Sequence, residues 1–116
     1  MSFQTGGTLE GSNVRKIAKQ TLTDAAIVVW DMNISCSAQV TLGAARFLQI
    51  NNAVSGDNGT LVVIQGGSGS HTLTLPDGSL RNGGDFILST TAGAKDILSF
   101  YYDGTNYFWN LGKAYA

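Results

Sequence analysis

From Ala25 onward the chain is a succession of short runs rich in β-branched and aromatic residues, each cut off by Gly, Asn, Asp or Ser. The runs Ala25–Met32, Ala38–Leu42, Arg46–Ile50, Thr60–Gln65, Ser70–Leu75, Asp85–Ser89, Asp96–Tyr102 and Asn106–Leu111 read as eight strands. The links between them carry turn chemistry: Ser55-Gly56-Asp57-Asn58-Gly59, Gly66-Gly67-Ser68-Gly69, Pro76-Asp77-Gly78 and Asn82-Gly83-Gly84. Asp103-Gly104 predicts a tight type I′ turn, and with it a hairpin of the last two strands. Eight short strands in one domain point to an all-β fold, a β-sandwich for which the jelly roll is the natural eight-stranded form.

The length of 116 residues allows one domain and a short arm, and leaves no room for a two-domain enzyme. Charged residues make up only 13% of the chain, about half the usual ~25%, so Thr, Ser, Asn, Gln and Gly must cover the surface. The net charge of −1 supplies no long-range field for nucleic acid or anionic lipid, and neither partner is expected. No apolar run approaches the ~18 residues of a membrane span, and the N-terminus lacks the layout of a signal peptide. Synthesis in the cytoplasm without secretion is therefore expected.

Residues 1–24 differ from the rest. Phe3, Leu9, Val14 and Ile17 are scattered among Arg15, Lys16 and Lys19, a composition that reads as an anchoring arm rather than a core. Val14, Ile17, Ala18 and Thr21 fall at helical spacing behind a possible Ser12 cap, enough for about two turns, which are marginal alone, so an extended arm fits equally well. The arm could engage a larger protein surface or pack on its own oligomer. The expected organisation is an arm over 1–24 and a β-sandwich over 25–116.

Some strands alternate as a half-wet sheet should, with Leu73 and Leu75 on one side and Thr72 and Thr74 on the other. Others, such as Ile27-Val28-Val29-Trp30, Leu61-Val62-Val63-Ile64, Phe100-Tyr101-Tyr102 and Tyr107-Phe108-Trp109, are apolar on both sides. A sandwich buries one face of each sheet, so the second apolar face calls for another subunit. Val29, Trp30, Val63, Tyr102 and Trp109 are the residues expected at that seam. The hairpin aromatics Tyr101, Tyr102, Tyr107, Phe108 and Trp109 have a second reading, as an exposed platform for a host sugar; core and seam is the favoured one.

No catalytic constellation stands out. His71 has no nucleophile motif beside it and alternates onto the face of Leu73 and Leu75, as a partly buried structural histidine would. Cys36 lacks a cationic neighbour, and a lone cysteine closes neither a disulfide nor, with one histidine, a structural zinc site. Gly66-Gly67-Ser68-Gly69-Ser70 is not followed by Gly-Lys-Ser/Thr, so it reads as a connector and not a phosphate loop. Asp57, Asn58, Asp77, Asp85 and Asp103 sit in turns without calcium-loop spacing, which suits turn-forming side chains better than a Ca²⁺ site. Neither a cofactor nor a metal is expected.

The run Ala26-Ile27-Val28-Val29-Trp30-Asp31, followed by Ala38-Gln39-Val40-Thr41-Leu42-Gly43 and Arg46-Phe47-Leu48, resembles the opening of small β-sandwich domains in fibres and capsid decorations of tailed bacteriophages. Gly59–Gln65, Gly69–Pro76 and Ala94–Thr105 are similar to the remainder of that pattern, so the resemblance spans roughly residues 25 to 111. It implies a jelly-roll-like fold, a homotrimer and a place on a virion. Fibre members often follow a long shaft, whereas about two dozen residues precede the sandwich here, which favours a small trimer mounted directly on a capsid. The expectation is a non-enzymatic capsid decoration or head-fibre protein, attached through its arm to the major capsid protein or another virion protein. The alternative is a tail-fibre tip that recognises a host glycan.

Overall fold

The computed structural model describes residues 18–81 and 86–115, and every described element is a strand or a connection between strands. The strands are β1 (Gln20–Thr21), β2 (Ile27–Asp31), β3 (Ser37–Leu42), β4 (Arg46–Asn51), β5 (Asn58–Gln65), β6 (Leu73–Thr74), β7 (Ser79–Arg81), β8 (Lys95–Tyr102) and β9 (Tyr107–Tyr115). They form a six-stranded sheet in the order β1-β3-β5-β8-β9-β7 and a three-stranded sheet in the order β2-β4-β6.

Up to β6 the chain alternates between the sheets, and each strand stacks parallel on the one two places before it. Thus Gln20 lies beside Ala38 and Ala38 beside Leu61 in one sheet, while Ile27 lies beside Phe47 and Phe47 beside Thr74 in the other. The result is a short parallel coil with two strands per turn. The antiparallel pairs β5–β8 and β8–β9 then close one side of it. Five of the seven pairings are parallel, which corrects the jelly-roll expectation, since that fold is built from antiparallel Greek keys. The all-β class stands.

The side-chain period of two builds the core. Val28 and Trp30 of β2, Ala38, Val40 and Leu42 of β3, Leu61 and Val63 of β5, Leu98 and Phe100 of β8, and Tyr107 and Trp109 of β9 all turn inward and form one cluster with Leu22, Leu48 and Leu75. Trp30 from the smaller sheet meets Phe100 of the larger one edge to face, with ring centroids 5.4 Å apart. Gly59 makes room for that contact, because a Cβ there would lie 2.7 Å from Trp30 and closer still to Phe100. The buried indoles are satisfied: Trp30 Nε1 donates to the Ser35 carbonyl and Trp109 Nε1 to Ser79 Oγ, both at 2.9 Å.

Several expectations change. Phe86–Ser89, the described part of the run read as Asp85–Ser89, is not a strand, and Ser70–Leu75 contributes only Leu73–Thr74. β1 lies inside the segment read as an arm; Leu22 is buried and Asp24 pairs with Arg46, so the folded unit starts before residue 25. Thr21, read as a helical position, is in a strand. The final hairpin forms, but with a four-residue loop, Asp103–Asn106, in which Gly104 alone has a positive φ, so the turn is not type I′. Asp103 accepts the Thr105 and Asn106 N–H groups and thereby fixes the loop itself.

Candidate binding surface

Period-two alternation also sorts the apolar residues that face out. On the smaller sheet Ile27, Val29 and Phe47 are 52%, 42% and 61% exposed, with Ile27 and Phe47 directly paired. On the larger sheet Leu80, Phe108 and Tyr101 make a cross-strand row through the pairings Leu80–Phe108 and Tyr101–Phe108, all of them exposed. These two outer rows are the doubly apolar strands of the sequence seen in three dimensions.

The seam residues separate accordingly. Trp30, Val63 and Trp109 are at most 2% exposed within a single chain, so they are core and the seam assignment is corrected for them. Val29 faces outward, and Tyr102 is half-buried, its ring stacked on Tyr107 at 4.3 Å. Burial pushes the Tyr107 hydroxyl upward, with Tyr102 and Asp57 adding to the effect. The hairpin aromatics therefore divide: Tyr107 and Trp109 build the core, while Tyr101 and Phe108 remain on the surface. Outward-facing Ile27 and Phe47 were missing from the expected seam; strict alternation from buried Val28 and Leu48 is the signal that identifies them.

Of the arm residues, Phe3, Leu9, Val14, Arg15, Lys16 and Ile17 lie outside the described residues. Lys19 is described, and its Nζ donates to Gln39 Oε1 at 2.7 Å.

The polar candidates hold the fold together locally. Buried Gln65 donates from Nε2 to the His71 carbonyl (2.7 Å) and accepts the His71 N–H at Oε1 (2.9 Å), while His71 Nε2 lies 3.0 Å from the Gly66 carbonyl. This clasp closes the Gly66–Ser70 connector. Asp57 accepts the Val54 N–H within its own turn. Buried Asp96 accepts from Ser89 N–H, Ser89 Oγ and Ala114 N–H, tying the 86–89 segment and the end of β9 to β8. Cys36 is a free, partly exposed thiol. Asp24 accepts from Arg46 Nε and Nη2 and from the Gly43 N–H. The Arg46 hydrogen bonds hold the Asp24 carboxyl below the usual aspartate value despite some desolvation. Among the described residues no group of three His, Cys, Asp or Glu side chains is arranged to hold a metal ion.

Comparison with protein families, with curated proteins and with solved structures finds no match to the chain. The surface itself must carry the functional reading.

Proposed function

We propose that the chain is a structural, non-catalytic protein of a tailed-phage virion, working as a homotrimer that decorates or reinforces a capsid and mounts through its N-terminal arm. The observation that carries this reading is the outer row Ile27, Val29 and Phe47, three large apolar side chains left in solvent on one face of a small sheet. Such a face suits contact with further copies of the chain. The resemblance of residues 25–111 to virion domains of tailed phages supplies the setting. A protein that binds only the assembled capsid stabilises it by mass action, as RT ln(1 + [L]/Kd).

Sedimentation of the full chain tests the assembly. A trimer is expected, and the double variant Val29→Asp, Phe47→Asp should sediment as a monomer with unchanged thermal unfolding of the subunit, because both side chains are exposed. A monomer without substitution overturns the reading. Removing residues 1–17 should abolish co-sedimentation with emptied phage heads.

A second reading, a fibre tip that binds a host glycan, is favoured by the exposed pair Tyr101 and Phe108 on the larger sheet. Under that reading Tyr101→Ala folds normally and loses attachment to host cells, while arm removal leaves attachment to the virion intact.

A further inference from the structure

The smaller sheet is unfinished. Phe47 N–H donates to the Ala26 carbonyl (3.1 Å) and Met32 N–H to the Asn51 carbonyl (3.0 Å), so the odd-numbered residues of β4 turn their backbone groups toward β2. Arg46 N–H donates to the Thr72 carbonyl (2.9 Å), so the even-numbered ones turn toward β6. Pairing with β6 stops at Phe47–Thr74. The next donor in register would be residue 76, but Pro76 has no N–H to offer the Leu48 carbonyl. Beyond it the chain has turned away, since the Gly78 carbonyl accepts from Tyr107 N–H (2.9 Å) and Asn106 Nδ2 (3.1 Å). The Leu48 carbonyl and both backbone groups of Ile50 therefore have no partner among the described residues.

A groove of about 560 Å³ runs along this open side. It is lined by Phe47, Leu48 and Ile50 of β4 and by the stacked Tyr102 and Tyr107, and exposed Asp77 is the only charged lining residue among the described residues. A row of backbone groups spaced along a strand matches another extended backbone. The unpaired stretch Leu48–Asn51 is four residues long, about 13 Å at about 3.3 Å per residue.

We propose that this groove takes an extended peptide segment of a partner protein, which adds to the open side of β4 as a strand, sets apolar side chains at alternate positions against the Tyr102–Tyr107 pair, and places a cationic residue beside Asp77. Main-chain hydrogen bonds would hold the segment and the aromatic wall would select it. The groove borders the outer row at Ile27 and Phe47, which belong to both, but its open backbone groups at Leu48 and Ile50 and its Asp77 lie outside that row, so the two readings are tested at different residues.

The test uses the full chain and a capped Lys-Val-Thr-Val-Thr-Val-Lys peptide, followed by NMR of the Ile50 amide. Saturating peptide should shift that resonance and slow its hydrogen exchange. The fully N-methylated peptide, with the same side chains but no N–H donors, should bind about tenfold or more weakly, the loss expected for one or more backbone hydrogen bonds. Asp77→Asn should weaken the unmethylated peptide without altering the fold. Absence of binding, or equal binding of the two peptides, overturns the proposal. So does binding of chitotetraose at the groove with none of the peptide, which would make it a sugar site. Ile50 protection in the free protein that disappears on dilution also overturns it, since a second copy would then fill the groove.

Discussion

At the scale of single residues, two positions carry more than their sequence neighbourhood suggests. Gly59 has no side chain because Trp30 and Phe100 occupy the space. Gly59→Ala should cost about 1–3 kcal/mol, as overpacking of a close-packed core does, and chemical denaturation will read it. Asp24, in the connection between β1 and β2, accepts three hydrogen bonds that tie it to Gly43 and Arg46 in the turn from β3 into β4. Its folded pKa is depressed, so its contribution is fully present above the ordinary aspartate value and is lost as pH falls through the lower, folded one. Asp24→Asn should lower stability at neutral pH and flatten the loss of stability on acidification, as followed by thermal unfolding from pH 7 down to pH 2.

At the scale of elements, the structure explains why β6 is short while its neighbours are long. The connector that precedes it is held by Gln65 and His71, with Ser70 in the left-handed region at φ 61°, and Pro76 ends it two residues after Thr74. Gln65→Ala deletes both halves of the clasp and leaves the buried-side backbone groups of His71 unpaired. It should cost about 1–3 kcal/mol and raise amide exchange across Ser70–Thr74 before the rest of the sheet, measured by hydrogen exchange. Had exchange risen uniformly, the clasp would be a global rather than a local support. The hairpin β8–β9 shows the opposite case: Trp109→Ala should cost about 3–5 kcal/mol, whereas Phe108→Ala, one residue away but facing out, should change stability by less than about 1 kcal/mol.

At the scale of the whole molecule, the fold up to β6 is a stack in which each turn of chain covers the previous one, and β1 is the first layer of that stack among the described residues. The boundary between arm and fold therefore falls before Gln20, and truncation can locate it. Removing residues 1–17 should leave the unfolding temperature of the subunit unchanged. Removing residues 1–24 takes away β1, the burial of Leu22 and the Asp24–Arg46 pair, and the Leu22 side chain alone is worth about 1.5–3 kcal/mol. Equal stability of the two truncations would return β1 to the arm.

The sequence by itself determined the all-β class, the place of most strands and the inward face of those in which apolar and polar residues alternate. Alternation of side chains along a strand is local, and where apolar and polar residues alternate it can be read directly, as in Leu73 and Leu75 beside exposed Thr72 and Thr74. Glycine and Asx residues marked the hairpin for the same reason. Only the tertiary structure decided which strands are neighbours. Parallel pairing joins Gln20 to Ala38 and Phe47 to Thr74, residues far apart in the chain that carry no local mark of their partner. Burial of Trp30 and Trp109 against exposure of Val29 and Phe108 likewise depends on which sheet closes over each face. The open side of β4 exists because Pro76 stands where the ladder needed a donor, and that need appears only once β4 and β6 are side by side.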